Sequence, residues 1–191
     1  MSSDYRLQAL LYPRAMLKKL FCAVLILLAV LILIGAFLPT RYAASQSLDI
    51  RSDRARVHEF VGELRRWDEW GPWKDEDPSL VVTHGSLTTG VGAHQSWTGD
   101  SGNGELTFTQ CSPEQGIAYD MLFIHGERKL PARCWMSYAP ATDGTRLTWG
   151  LEGDFDMPIL GGWMVLLMGP ALDDMLEKGL GKLKTVAEAG R

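Results

Sequence analysis

Residues 117–124 read Ile-Ala-Tyr-Asp-Met-Leu-Phe-Ile, and residues 146–151 read Arg-Leu-Thr-Trp-Gly-Leu. In an extended chain successive side chains point to opposite faces. Ile117, Tyr119, Met121 and Phe123 therefore share one face of a strand, and Leu147, Trp149 and Leu151 share one face of another. The same period of two predicts strands at Leu80–His84, Ala93–Thr98, Glu105–Gln110 and Arg133–Tyr138. Turn residues separate them: Thr89-Gly90-Val91-Gly92, Gly99-Asp100-Ser101-Gly102, Ser112-Pro113-Glu114 and Asp143-Gly144. Connections this short join antiparallel neighbours, so the run reads as a meander.

Outside this run the period changes. Leu48-Asp49-Ile50 alternates and reads as a first strand. Ser52 or Asp53 can cap a helix, and Val57, Phe60, Val61 and Leu64 follow at helical spacing. Beyond Asp156-Met157-Pro158, apolar residues from Leu160 to Val186 predict a long C-terminal helix. Pro170 lacks the N–H that a helix interior needs, so a kink or break is expected there. The expected class is α+β: a seven-stranded antiparallel sheet whose apolar face is covered by the long last helix.

Leu20 to Leu38 is a run of nineteen residues without a charged side chain. As a helix it spans about 28 Å, close to the hydrocarbon thickness of a bilayer. Arg14, Lys18 and Lys19 precede it, and only Arg41 follows closely. Positive flanks stay in the cytoplasm, so the expectation is a single-pass protein with its N-terminus inside and its domain outside, periplasmic in a Gram-negative bacterium. The run exceeds the apolar core of a secretory signal, which favours an uncleaved anchor over cleavage at Ala43-Ala44-Ser45. The organisation read from these features is a cytoplasmic segment 1–19, a transmembrane helix 20–38, a linker 39–45 and a domain 46–191.

Charge divides the same way. Residues 1–45 hold five basic and one acidic side chain, and residues 46–191 hold fourteen and twenty-two, a net charge of −8. Such a domain repels phosphate backbones, and nucleic acid is excluded as an expected partner.

Strand parity places Cys134 inward and Cys111 outward, so free thiols are expected in preference to a disulfide. His58, His84, His94 and His125 show no metal-ligand spacing, and His58 is expected to face solvent. Glu152, Asp154 and Asp156 read as a solvated loop before the last helix, and Trp67, Trp70 and Trp73 as closure of one end of the core, as the rim of a cavity, or as a set dipping toward the nearby membrane interface. No nucleophile elbow, P-loop or dinucleotide fingerprint is present, and no cofactor or metal is expected.

Arg65-Arg66-Trp67-Asp68-Glu69-Trp70-Gly71-Pro72-Trp73, Gly90-Val91-Gly92-Ala93 with Trp97-Thr98-Gly99, and Glu177 to Lys184 carry a likeness. With the element order they resemble the START-like helix-grip superfamily (SRPBCC), in its polyketide cyclase/dehydrase branch, over residues 46–188. Many members of that branch look alike in carrying an N-terminal hydrophobic span. The resemblance implies a deep cavity between sheet and last helix that takes an apolar small molecule or lipid, and it implies no fixed chemistry. The residues expected to line it are Trp97, Tyr119, Met121, Phe123, Met136, Trp149 and Met168. A cyclase- or dehydratase-like enzyme is the second reading. It needs a polar group of shifted pKa in the cavity, and the inner face offers Gln95, Tyr119 and Tyr138. An interaction module with a collapsed core is the third.

Overall fold

A computed structural model describes the backbone of residues 4–189 and the side chains of residues 16–189. Arg6 and Arg14, which contribute to the expected orientation, lie outside the described side chains, as does most of segment 1–19. Helix α1 runs Asp4–Phe37 and strand β1 Arg41–Ile50. Helix α2 (Arg54–Val61), a 3-10 helix (Leu64–Glu69) and the short α3 (Trp73–Glu76) follow. The meander is β2 (Val81–His84), β3 (His94–Thr98), β4 (Asn103–Ser112), β5 (Gly116–His125), β6 (Arg128–Ala141) and β7 (Gly144–Asp154). Helix α4, Leu160–Glu188, is the last element among the described residues.

The strands form one antiparallel sheet in the order β1-β7-β6-β5-β4-β3-β2, so the chain's first strand closes beside its last. This is the α+β helix-grip architecture: the sheet's apolar face packs on α4 and α2. From α4 come Leu176, Leu180, Leu183 and Ala187, spaced by four, three and four residues along one buried stripe. From α2 and the 3-10 helix come Val57, Phe60, Val61, Leu64 and Trp67. Asp53 caps α2 by accepting a hydrogen bond from the Arg56 N–H at 2.8 Å.

Trp67 and Trp70 belong to this core, at 2% and 0% exposure. Their indole N–H groups donate to the carbonyls of Val61 (2.9 Å) and Phe60 (3.2 Å). Both carbonyls lie at the end of α2, where a helix leaves acceptors without intrahelical partners. The tryptophan-rich segment is therefore a clasp that closes one end of the core.

Five expectations change. The stretch 39–45 is not a linker beyond Thr40: β1 begins at Arg41 and pairs along its whole length with β7, from Arg41↔Asp154 to Ile50↔Thr145. The weakly apolar Tyr42 and Ala44 half-bury on the core side and extend the strand backwards. Helix α4 passes through Pro170 without a break. One interrupted hydrogen bond is outweighed by packing at both ends of the helix, on α1 at its start and on the core at its finish. Glu152 and Asp154 are not in a loop, because β7 continues to Asp154, which faces Arg41 at 3.6 Å.

The fourth concerns Cys111. A bulge between Phe108 and Gln110 inserts Thr109 into β4 and reverses the parity beyond it. Cys111 therefore turns inward, with its Sγ 3.7 Å from His58 Nε2. His58 is not solvated either: it is half-buried, and its Nδ1 shares a hydrogen bond with the Tyr138 hydroxyl at 2.9 Å. Burial pulls the imidazole pKa down and pushes the Cys111 thiol up, so the pair is held neutral. Cys22, Cys111 and Cys134 are all free thiols.

One acidic side chain fixes the loop beside α3. The Asp77 carboxylate accepts hydrogen bonds from the Ser79 N–H (3.0 Å) and the Ser101 N–H (2.9 Å), and from the Ser79 hydroxyl. These donors lower its pKa from the ordinary 3.8 to about 2. A carboxylate with a depressed pKa stabilises the fold above its unfolded-state pKa and loses that contribution as pH falls through the folded value. Part of the stability is thus expected to vanish between pH 3.8 and about 2. In Asp77→Asn, denaturant midpoints measured across that window should fall less steeply than in the wild type.

Candidate functional site

Beneath the first part of the sheet lies an apolar hollow of about 100 Å³. Its floor comes from alternate positions of adjacent strands: Trp97 and Gln95 of β3, Leu106 of β4, Tyr119, Met121 and Phe123 of β5, Cys134 of β6, and Trp149 and Leu151 of β7. Trp67, Trp73 and Met175 of α4 cover it, and Val82 of β2 with Leu80 just before that strand closes its edge.

Of the seven residues expected to line such a space, Trp97, Tyr119, Met121, Phe123 and Trp149 lie on this hollow. Met136 does not. It sits two residues along β6 from Cys134 and is 1% exposed in solid core. Met168 does not either: it is 39% exposed, because α4 meets the sheet with its second half and its first half overhangs. Met175, two turns further along α4, takes the place assigned to Met168. Helical spacing alone did not locate the crossing point of helix and sheet. Leu106, Cys134 and Leu151 also line the hollow, and strand parity marks each of them as inward.

The expected deep cavity is also smaller than foreseen. Pockets for small molecules usually enclose roughly 300–1,000 Å³. Here three indoles fill most of that space. Trp67 stacks on Trp73 with ring centres 5.5 Å apart, and Trp73 meets Trp149 edge-on at 6.1 Å. A wider trough of about 860 Å³ lies on the opposite, solvent-facing side of the sheet. It is open to water and crossed by charged pairs such as Arg133 with Asp120 and Glu152, both at 4.0 Å. Nothing in that trough shields a ligand from solvent, and the enclosed hollow is the candidate site.

Polar groups in the hollow are few. Tyr119 accepts a hydrogen bond from Trp149 Nε1 at 3.1 Å, and burial pushes its phenol pKa well up. Burial likewise raises the Cys134 thiol to about 12. Both groups are neutral at physiological pH. The lining contains no carboxylate and no histidine. Gln95 is different: it is 5% exposed, and its Oε1 has no hydrogen-bond partner. An amide oxygen buried this way costs about 1–3 kcal/mol, which a bound donor would recover. Among the described residues no group of His, Cys, Asp and Glu could hold a metal ion.

The hollow lies towards the end of the sheet from which α1 departs. One register row runs Tyr42, Gly153, Ala132, Met121, Leu106, Gln95. The next row out, nearer Arg41 and α1, contains Phe123, Gly104 and Trp97. Phe123 is 39% exposed there and forms the rim with Trp97, ring centres 5.8 Å apart.

Solved structures share this fold at low sequence identity. Protein jhp0584 from Helicobacter pylori aligns with a TM-score of 0.58 and 8% identity over 78% of this chain and 88% of its own. Protein CV1439 from Chromobacterium violaceum gives 0.55 and 14% over 76% and 96%. The di-domain ARO/CYC StfQ of the steffimycin biosynthetic pathway gives 0.56 and 12% over 78% of this chain and 51% of that one. No protein of curated function matches the chain. The family described as polyketide cyclase/dehydrase and lipid transport matches residues 42–188, nearly the whole of β1 to α4, and the chain belongs to that family.

Proposed function

We propose that this protein is a membrane-anchored receptor or carrier for an apolar small molecule or lipid, which it holds in the hollow between sheet and α4. The observation that carries this reading is the lining itself: a nearly unbroken apolar surface with one buried, unpartnered amide oxygen at Gln95. Burial of apolar surface supplies roughly 25 cal/mol per Å² towards binding, before the entropic costs of association. Gln95 supplies selectivity, favouring a guest with a hydroxyl or N–H at the matching point. At about 100 Å³ the hollow suits a single ring. A longer guest displaces Phe123 and Met175, the half-exposed side chains at its edge.

Anchoring is supported by α1. Met16–Phe37 is long and apolar enough to cross a bilayer, and 6% of its window is buried against the protein. The basic flank at Lys18 and Lys19 supports an inside N-terminus and a domain outside. A cyclase-like reaction that abstracts a proton needs a general base in the hollow, whereas the lining offers no carboxylate or histidine and burial keeps Tyr119 and Cys134 from ionising. The binding reading is therefore preferred.

The test uses the full chain in lipid nanodiscs with 4-(trifluoromethyl)phenol and 4-(trifluoromethyl)toluene, followed by fluorine NMR. These single-ring probes differ in one hydrogen-bond donor. The wild type is expected to favour the phenol by about five- to tenfold, the worth of one neutral hydrogen bond. In Gln95→Leu that preference should disappear, with no loss of folding stability, since an unsatisfied amide is removed. Equal affinity of the wild type for both probes would remove Gln95 from the site.

A further inference from the structure

The first half of α4 has no polar face. From Met157 to Leu172 there is no charged residue, and the first charges are Asp173 and Asp174. A helix that is apolar all round belongs in a protein interior or in lipid. This one is in neither as the chain stands: Leu160 is 59% exposed, Leu166 56%, Leu167 78% and Met168 39%. Single exposed leucines are ordinary, but a cluster within three helical turns marks a contact surface.

Its neighbour identifies the partner. The start of α4 packs against the outer end of α1. A side-chain carbon added at Gly35 would meet Ile159 and Trp163, and one added at Gly162 would meet Leu38. Small residues let the two backbones approach this closely. Gly35 and Leu38 lie at the end of the Met16–Phe37 segment, where it would leave the hydrocarbon. Ile159 and Trp163 are thereby held at bilayer-surface depth, a level at which tryptophan is favoured. Leu166 and Leu167 lie three and four residues beyond Trp163, about 5–6 Å further along α4 at 1.5 Å per residue, within the depth of the headgroup layer. The helix then leaves that layer as charge begins: Asp173 accepts a hydrogen bond from Gln46 Nε2 at 3.1 Å, midway along β1.

We infer that Ile159–Met168 is a second membrane contact, seated in the outer-leaflet interface beside α1. This rests on the anchored reading above. It places the rim of the hollow, Trp97 and Phe123, at the same end of the domain as the lipid surface. A guest can then pass between leaflet and hollow without crossing open water.

The test is site-directed spin labelling of the full chain in vesicles of phosphatidylcholine and phosphatidylglycerol. The background is Cys22→Ser with Cys111→Ser, and Cys134 is 1% exposed and protected. Labels go at Leu167→Cys, at Leu28→Cys within α1, and at Asp143→Cys in the β6–β7 turn at the far end of the sheet. Collision of the Leu167 label with a water-soluble nickel chelate should be lower than that of the Asp143 label by about fivefold or more, and collision with oxygen higher, as for a group seated at the headgroup–acyl boundary. If the Leu28 label is shielded but the Leu167 label is as accessible as Asp143, the second contact does not exist and the anchor stands. If the Leu28 label is itself accessible to the chelate, the anchored reading fails and takes this inference with it.

Discussion

Replacing Trp67 by alanine is expected to lower folding stability by about 3–5 kcal/mol, the range for deleting a large buried aromatic side chain. Trp67 is 2% exposed and touches the rings of Trp70, Trp73, Phe108 and Tyr119 at centroid distances of 5.4 to 5.8 Å. The substitution also strands the Val61 carbonyl, which accepts from its indole. Because Trp67 covers the hollow, the variant should bind larger apolar guests than the wild type once folded. Urea denaturation of the full chain in detergent, followed by near-ultraviolet circular dichroism, measures the first effect. A loss under about 1 kcal/mol would mean that the tryptophan clasp does not hold the core. Trp73→Ala should cost less, since Trp73 is only partly buried and its indole has no comparable bond to α2.

Gly179→Leu is the second large effect. Gly179 lies in the stripe where α4 is closest to the sheet, and a side-chain carbon there would fall on the Trp149 ring. Leucine in place of glycine gains about 1 kcal/mol of helix propensity. Overpacking a filled core typically costs about 1–3 kcal/mol, and here the obstructing group is a buried indole tied to Tyr119. The helix must lift or Trp149 must swing into the hollow. We therefore expect a net loss of up to about 2 kcal/mol with probe binding abolished. Gly181→Leu is the internal control: no atom approaches a side-chain carbon built there, so propensity alone should make it neutral or stabilising. Equal outcomes at 179 and 181 would mean that α4 does not grip the sheet at Trp149.

Most of the sheet was legible from alternation because a half-buried strand writes its two faces into the sequence. Leu147, Trp149 and Leu151 are inside as read, and so are Ile117 and Tyr119. Alternation failed where the backbone departs from regular pleating. The bulge at Thr109 has no glycine or proline to announce it, so regular alternation puts Cys111 on the wrong face and does not reveal the His58–Cys111–Tyr138 contact. The start of β1 was hidden because Tyr42 and Ala44 are too weakly apolar to mark a strand; pairing with β7 makes it one. On α4 the apolar positions run without interruption from Leu160 to Met168, so no polar stripe showed which turn meets the sheet. That is why apolar spacing points to Met168 while Met175 is the residue in place. Gln95 was visible as an inward polar residue. Its lack of a partner depends on what surrounds it across three strands, which no local pattern encodes.

The central claim, that the hollow is a binding site and not a packing defect, is tested most directly by filling it. Val82 on the edge strand β2 borders the hollow and is half-buried, so Val82→Trp can occupy that space with little disturbance of the core. Titration of 4-(trifluoromethyl)phenol into wild type and variant, in matched nanodiscs and read by fluorine NMR, gives the answer. The account predicts saturable one-site binding to the wild type and a loss of about tenfold or more in Val82→Trp, with folding stability changed by no more than about 1–2 kcal/mol. Indistinguishable binding curves for the two proteins, or no saturable binding to the wild type, would contradict it.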